Sequence, residues 1–208
     1  MQRVLIIGSG GLARDFLSWF GTTVEVVGFV TRNLEDHARY QLPGSVFLDG
    51  AGPAEVDADA AVLAIGTPTL KQRLANELQE LGFSFPTFVH PSAVIAPTAQ
   101  LGRGVIICPQ CVVSPDVVMG DFSYLNYSSG VGHNTVVGAF TQINPGAQIG
   151  GNCTIGEAAL IGSGSVILHE RTIGERAVIA SGAAIFGRVA AGVTMMGNPA
   201  SRFRPFDS

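Results

Sequence analysis

The chain of 208 residues has no run of basic residues, and its formal net charge is -4. Proteins that bind nucleic acid or anionic membranes usually carry a basic patch or stripe. Nor does any apolar run reach the roughly 18 residues that a membrane-spanning helix needs. We therefore expect small molecules as partners, with no nucleic acid and no membrane.

Cysteine is also scarce, because the chain has three, without the spacing of a secreted disulfide framework. The opening residues MQRVLIIGSGG lack the basic region and long apolar stretch of a signal peptide. Both observations favour a reducing compartment, and we expect a cytoplasmic protein. Cys108 and Cys111 form an isolated C-x-x-C pair, which without a second pair does not predict a zinc site.

A period of six residues runs through the second half of the chain. From Ile95 to Ile185, every sixth residue is Leu, Ile, Val or Met, at all sixteen positions. The residue after each is Gly at eight positions, and the residue four later is Ala, Val, Cys, Ser or Thr at fifteen, with Arg171 as the exception. Such a short unit has room only for one strand and one turn.

Three six-residue units would close a triangular coil. The aliphatic residue would fill the interior, the small residue would face inward at the turn, and Gly would relieve the backbone where it bends. Successive coils would stack at roughly 4.8 Å. This pattern predicts a left-handed parallel β-helix over residues 91–208.

The first ninety residues have a different period. We predict an α/β domain over residues 1–90, a βαβ unit like half of a Rossmann fold, which binds a nucleotide or sugar. Its predicted strands are Val4–Ile7, Val24–Val30, Val62–Ile65 and Phe85–Val89, and its predicted helices are Gly10–Phe20 and Pro68–Leu81.

A glycine-rich turn, Gly8-Ser9-Gly10-Gly11, follows the first strand and opens the first helix. This is the context of the G-x-G-x-x-G/A fingerprint, in which a helix N-terminus holds a diphosphate. The second strand ends in Thr31 and Arg32 instead of a ribose-binding acid, which disfavours NAD. A single nucleotide or nucleotide-sugar fits this small domain better, and a turn with no ligand is the alternative.

Two histidines fall on equivalent positions of the repeat. His133 comes two residues after the inward Val131, so it points outward, and an imidazole that titrates near neutral pH suits a general base. His169 lies 36 residues later, on the same face two coils on. Carbonic anhydrases of the gamma class use this β-helix with three zinc-binding histidines, but no third histidine follows His169. We therefore predict no metal site.

The whole chain resembles the bacterial sugar O- and N-acetyltransferases that modify sialic acids and nucleotide-linked amino sugars. The matching motifs are Ile7-Gly8-Ser9-Gly10-Gly11, Ala64-Ile65-Gly66, Phe88-Val89-His90-Pro91, Asn126-Tyr127-Ser128-Ser129-Gly130-Val131-Gly132-His133 and Gly197-Asn198-Pro199-Ala200. The resemblance implies a homotrimer that transfers acetyl from acetyl-CoA, its co-substrate, to a sugar or nucleotide-sugar. It also implies that residues 91–208 are the acyltransferase domain.

The resemblance also implies roles for individual residues. His133 would be the general base, with Asn134 as its neighbour. Acetyl-CoA would lie between subunits and contact Gln142, Gly151, Ser163 and Ser181. The acceptor would contact Ser9, Gly10, Gly11, Gly66, Thr67 and Asn126.

This chain departs from the family pattern at two places that bear on chemistry. Asn134 stands where the family usually has Asp or Glu, and Leu12 stands where the glycine-rich turn often carries His. Asn can accept the ring N–H but supplies no charge. Two alternatives therefore stay open: a gamma-class metalloenzyme and a non-catalytic nucleotide-binding scaffold.

Overall fold

The structure is a computed structural model that describes residues 1–47 and 50–203. The chain divides into two compact units, Met1–Phe88 and Val89–Ser208. The last five residues of the predicted second domain lie outside the described residues. In the described part of the chain, no helix has the length and apolar character to cross a membrane.

The first unit is an α/β unit with one parallel sheet. Its strands are β1 (Gln2–Ile7), β2 (Val24–Val30), β3 (Ser45–Phe47) and β4 (Ala60–Leu63). Its helices are α1 (Gly11–Phe20), α2 (Leu34–Arg39), α3 (Pro53–Val56) and α4 (Pro68–Glu80). The strands are ordered β3-β2-β1-β4, and all neighbours are parallel.

The buried apolar run of β1 makes it a central strand. Val4, Leu5 and Ile6 are each 0% exposed. A parallel strand that is covered on both faces has such a continuous apolar sequence. Helix α1 buries Phe16 and Phe20 from its apolar face, which explains why it folds onto the unit.

The prediction for this unit was wrong in several details. The third predicted strand, Val62–Ile65, is in fact Ala60–Leu63, because small alanines also pair with β1. The predicted strand Phe85–Val89 shortens to β5 (Phe88–Val89). Three further elements, α2, β3 and α3, were not predicted, because they are too short for an apolar period to be visible.

The second unit is a coil of two- and three-residue strands on three sides. The strands are β6 (Val94–Ile95), β7 (Gln100–Leu101), β8 (Ile106–Ile107), β9 (Val112–Val113), β10 (Val118–Met119), β11 (Tyr124–Leu125), β12 (Gly130–Val131), β13 (Val136–Val137), β14 (Gln142–Ile143), β15 (Gln148–Ile149), β16 (Thr154–Ile155), β17 (Leu160–Ile161), β18 (Val166–Ile167), β19 (Thr172–Ile173), β20 (Val178–Ile179), β21 (Ala184–Ile185), β22 (Thr194–Met196) and β23 (Ser201–Arg202).

These strands form three sheets, which are the three sides of the coil. The five-stranded side is β19-β16-β13-β10-β7, the six-stranded side is β21-β18-β15-β12-β9-β6, and the eight-stranded side is β23-β22-β20-β17-β14-β11-β8-β5. Neighbours in the regular part pair in parallel 18 residues apart, as Val118 does with Val136. Parallel sides built from hexapeptide repeats fit the predicted left-handed β-helix.

The interior of the coil follows the predicted phase. From Ile107 to Ile185, every sixth residue is no more than 4% exposed. The small residues four positions later are buried as well, including Cys111 and Cys153. The repeat therefore explains these cysteines as interior packing residues, as predicted.

The prediction that the Gly directly after a strand relieves the bend was wrong. From Leu101 to Ile179, a positive φ angle falls three residues after each inward residue, for example 57° at Phe122 and 59° at Asn134. Glycine occupies this bend position in four corners, at Gly104, Gly146, Gly164 and Gly182. Glycine after the strand has another cause, because a Cβ on Gly120 would lie 2.6 Å from the backbone N of Ala139 on the next coil. The close approach of successive coils therefore selects glycine there.

Candidate functional site

His133 lies on the corner between β12 and β13, with its side chain exposed. Its Nδ1 is 2.8 Å from Oδ1 of Asn134. Within the described residues, Nε2 has no hydrogen-bond partner. If Nδ1 carries the proton and donates to Asn134, Nε2 keeps a free lone pair that can accept a proton.

The imidazole rests on Gly151, one coil further along the same row of corners. A Cβ on Gly151 would lie 2.7 Å from Nε2 and 2.8 Å from Cε1 of His133. Any other residue would therefore displace the ring. Gly151 is itself buried beneath this ring. Besides its predicted contact with the cofactor, it therefore helps to position His133.

Asn134 has two functions in this corner. Its φ of 59° is in the left-handed region, where Asn is among the more frequent residues other than glycine. Its N–H donates to the carbonyl of Pro115 at 3.0 Å, which fixes the turn. Asn134 is therefore a turn residue that also accepts from the His133 ring, but it adds no charge.

We call this row of corners the histidine edge; it consists of residues 96–99, 114–117, 132–135, 150–153, 168–171 and 186–188. His133, Asn134, Gly151 and His169 all lie on it. Ser163 and Ser181 lie on a different corner, between the eight-stranded and six-stranded sides, where the Gly182 N–H donates to the Ser163 carbonyl at 2.9 Å. One chain therefore does not gather all predicted cofactor residues on one edge.

The two remaining predicted residues of this unit are buried. Gln142 on β14 is 1% exposed, and its Nε2 donates to Oδ1 of Asn144 at 3.4 Å. Asn126 is also buried, and its Oδ1 accepts from the Tyr127 N–H at 2.8 Å. In a single chain, both amides thus have internal hydrogen bonds.

The first unit contains a cavity of about 1020 Å³ at the carboxyl ends of β1, β2 and β4. All five predicted acceptor residues of this unit line it: Ser9, Gly10, Gly11, Gly66 and Thr67. Crevices at this end of parallel strands are the usual ligand sites of open α/β sheets. The structure therefore brings this group of predicted residues together.

Two helix N-termini meet this cavity without side-chain caps. Gly10 precedes α1 and has no side chain to cap it, and the side chain of Thr67, which precedes α4, makes no capping hydrogen bond. The free N–H groups of both helices and their dipoles favour an anion. A Cβ on Gly10 or Gly11 would find no protein atom within 4 Å, so these glycines leave open space.

Thr31 takes a structural role at the end of β2. Its Oγ1 lies 2.7 Å from Oγ of Ser9, and Ser9 Oγ also donates to the carbonyl of Asn33 at 3.3 Å. These bonds tie the glycine-rich turn to the neighbouring strand. At the position where a dinucleotide-binding domain has a ribose-binding acid, Thr31 thus holds the glycine-rich turn by a hydrogen bond.

The cavity is also lined by polar residues that were not predicted as site residues, notably Arg32, Asn33 and Asp36. Asn33 caps α2: its Oδ1 accepts from the Asp36 N–H at 3.1 Å, and its Nδ2 donates to Asp36 Oδ2 at 2.7 Å. The spacing Asn-x-x-Asp resembles a capping box and could have predicted this helix. Asp36 thus supplies a carboxylate four residues beyond Arg32.

A metal site would need several ligands close together. Across residues 1–47 and 50–203, no group of three or more His, Cys, Asp or Glu side chains could hold a metal ion. His169 is exposed on the histidine edge, two coils from His133. The three-ligand site of the gamma-class alternative is therefore not assembled within the described part of one chain.

Part of the coil matches a known protein family. Residues 152–187 match the family described as bacterial transferase hexapeptide, six repeats. The match lies wholly within the second unit, so the repeat of these transferases is found in the coil. No curated protein sequence matches the chain significantly.

Solved structures of several bacterial proteins match the chain over almost its whole length. PerB from Caulobacter crescentus, in complex with CoA and GDP-perosamine, is 28% identical, with a TM-score of 0.90 and 98% of each chain covered. The acetyltransferase domain of PglB from Neisseria gonorrhoeae, in complex with acetyl coenzyme A, is 26% identical with a TM-score of 0.84, covering 97% of this chain and 99% of that one. WeeI from Acinetobacter baumannii, at 23% identity, 98% and 100% coverage and a TM-score of 0.81, shows the fold.

Proposed function

We propose that this protein transfers an acetyl group from acetyl-CoA to a sugar, with the amine of a nucleotide-linked amino sugar as the favoured acceptor. The observation that carries the proposal is the exposed His133, seated on Gly151 and bonded through Nδ1 to Asn134. This arrangement leaves Nε2 free to act as a base on the surface of the coil. The interior of the coil is filled by buried aliphatic and small residues.

In the proposed reaction, the acceptor amine attacks the thioester carbonyl of acetyl-CoA. Nε2 of His133 takes a proton from the amine as the C–N bond forms. The C–S bond then breaks, and the proton passes to the thiolate of CoA. The Asn134 carbonyl oxygen holds Nδ1–H and so keeps the ring in the tautomer that this step requires.

The cavity of the first unit is the proposed site for the nucleotide part of the acceptor. Two uncapped helix N-termini supply N–H donors for a diphosphate, and Gly10 and Gly11 allow its close approach. Asp36 adds an acceptor for N–H groups of a base. A Rossmann-like half domain would use these features together.

Structures of similar proteins with bound ligands support this choice of substrates. PerB was solved with CoA and GDP-perosamine, and PglB with acetyl coenzyme A. Variants of the Caulobacter enzyme in which a histidine is replaced by asparagine or alanine were solved with the same pair of molecules. A nucleotide-linked amino sugar is therefore favoured over a free sialic acid.

We also propose a cytoplasmic homotrimer. The outer face of the six-stranded side exposes a short apolar stripe of two neighbouring valines, Val94 and Val112, at 63% and 46% exposure. An apolar stripe of this kind fits a second copy of the chain. The three free, buried cysteines fit a reducing compartment.

The direct test is thiol release from acetyl-CoA with a panel of acceptors. Nucleotide-linked amino sugars should release CoA and gain one acetyl group by mass spectrometry, whereas their N-acetylated forms should not react. Sialic acids and nucleotide sugars without an amine serve as controls. Thiol release with none of the amino sugars would count against the proposal.

The alternatives have their own signatures. A gamma-class metalloenzyme would retain zinc after purification, and its activity would be lost with a chelator. A non-catalytic scaffold would show a thermal shift with nucleotide and none with acetyl-CoA, because only bound ligands stabilise the folded state.

A further inference from the structure

The last corner of the histidine edge differs from the others. Between Ile185 and Val189 it is shorter than a regular corner, because Val189 already pairs with Ile173. It exposes an aromatic ring and a cation side by side. Phe186 is 55% exposed, and Arg188 is exposed with no hydrogen bond or ion pair to any described residue.

Positive charge on this edge lies on one side of His133. Towards the C-terminus are Arg171 and Arg188, and Nε of Arg171 is buried without a hydrogen-bond partner among the described residues. Towards the N-terminus, the same corner positions carry Pro97 and Pro115. An anionic ligand that starts at His133 should therefore run towards the C-terminal coils, although the exposed Glu170 opposes it locally.

The distance from His133 to this corner matches the length of a pantetheine arm. Residue 187 is three coils beyond residue 133, and coils stack at roughly 4.8 Å, which gives about 14 Å. The chain of CoA between its sulfur and its first phosphate has about as many bonds as four extended residues, again roughly 14 Å. A thioester at His133 would thus place the nucleotide at the last corner.

We infer that Phe186 and Arg188 bind the nucleotide end of CoA. The adenine ring stacks on Phe186, and the Arg188 guanidinium donates to the phosphates, supported by the positive charge of Arg171 on the preceding coil. This inference rests on the proposed function, because it assumes that acetyl-CoA is bound with its thioester at His133. It adds two specificity-determining residues outside the reacting centre.

The test compares acetyl-CoA with acetyl-pantetheine, which lacks the nucleotide. The variants Phe186→Ala and Arg188→Ala should each raise KM for acetyl-CoA about tenfold, as expected for one stacked base or one charged hydrogen bond. Their kcat, and their KM for acetyl-pantetheine, should stay at the wild-type values. Arg176→Asn, at an exposed arginine on another corner, is the matched control and should change neither KM.

A binding measurement separates this inference from the proposed function. Adenosine 3',5'-bisphosphate should bind the wild-type protein in isothermal titration and bind each variant about tenfold more weakly, even if no acceptor is found. Glu170→Gln should bind it at least as tightly as wild type. Equal affinity in wild type, Phe186→Ala and Arg188→Ala would overturn the inference, as would a parallel rise in KM for acetyl-pantetheine.

Discussion

In the β-helix unit the same side-chain position recurs every six residues, whereas in the α/β unit no position recurs. A residue of the coil can therefore be assigned to the interior, the turn or the surface from its phase alone. A residue of the α/β unit acquires its role from strands distant in sequence, as Thr31 does from Ser9. Repetition thus makes exceptions visible, and Arg171, which replaces a small inward residue, is such an exception.

The largest effect is expected from emptying equivalent interior positions of the coil, which should lower the free energy of unfolding by similar amounts. Ile143→Ala and Ile161→Ala each empty a site that is 0% exposed in the coil. Each should lower the free energy of unfolding by about 2–5 kcal/mol. Val136→Ala, on the outer face, should cost less than about 1 kcal/mol.

Equilibrium urea unfolding at one protein concentration measures these values. The two interior losses should agree within about 1 kcal/mol, because each site lies between two aliphatic residues one coil away. These neighbours are Leu125 and Ile161 for Ile143, and Ile143 and Ile179 for Ile161. A difference as large as the loss itself would show that repetition in sequence does not give repetition in packing.

The next effect concerns the seat of the histidine. In Gly151→Ala the three atoms nearest the new Cβ all belong to the His133 ring, so the ring is expected to move while the coil keeps its backbone. A displacement of about 1 Å at a catalytic group costs on the order of 100-fold in rate. We expect that loss in kcat for CoA release, with an almost unchanged melting temperature.

Gly132→Ala is the matched comparison on the same edge. Its Cβ would lie 2.5 Å from the backbone N of Gly151, so the coils themselves must separate. This variant should lose stability first. If Gly151→Ala kept full activity, the ring would not need the position that the structure gives it.

The predictability of the two units follows from the same contrast. For the coil, side-chain phase predicted the interior and the outward His133, but not the left-handed residues, because Phe122 and Asn134 share no residue type. For the α/β unit, the strands around the glycine-rich turn were predictable because β1 is a continuous apolar run. The short α2 has no visible apolar period, and only the capping spacing of Asn33 and Asp36 could have indicated it.

A smaller effect is expected from restoring the family's acid next to the histidine. Asn134→Asp keeps a residue that tolerates the left-handed turn and adds a negative charge beside Nδ1. The charge stabilises the imidazolium form, so the acid limb of the kcat/KM profile should move to higher pH. The rate at alkaline pH should rise a few-fold, and a profile with an unmoved acid limb would mean that Asn134 does not orient the ring.

The smallest effect lies in the α/β unit. Burial raises the pKa of the Asp15 carboxyl, and Arg14 partly offsets this. A carboxyl with a raised pKa in the folded state costs stability as pH rises from its unfolded to its folded value. Asp15→Asn should therefore stabilise the protein at pH 7 by less than about 0.5 kcal/mol.

The sign of the Asp15 effect can be checked by urea unfolding at two pH values. The gain should shrink as the pH falls towards the ordinary carboxyl value, because the protonated acid and the amide are then alike. A gain that grows on acidification would contradict the assignment to burial.

The most direct test of the account is the rate of CoA release by His133→Asn with the amino-sugar acceptor found in the screen. Loss of a general base should lower kcat by roughly 100- to 10,000-fold. The KM for acetyl-CoA and the binding of adenosine 3',5'-bisphosphate should stay at wild-type values, since both depend on the distant Phe186 and Arg188. A kcat within a few-fold of wild type would contradict the role of His133 and with it the proposed mechanism.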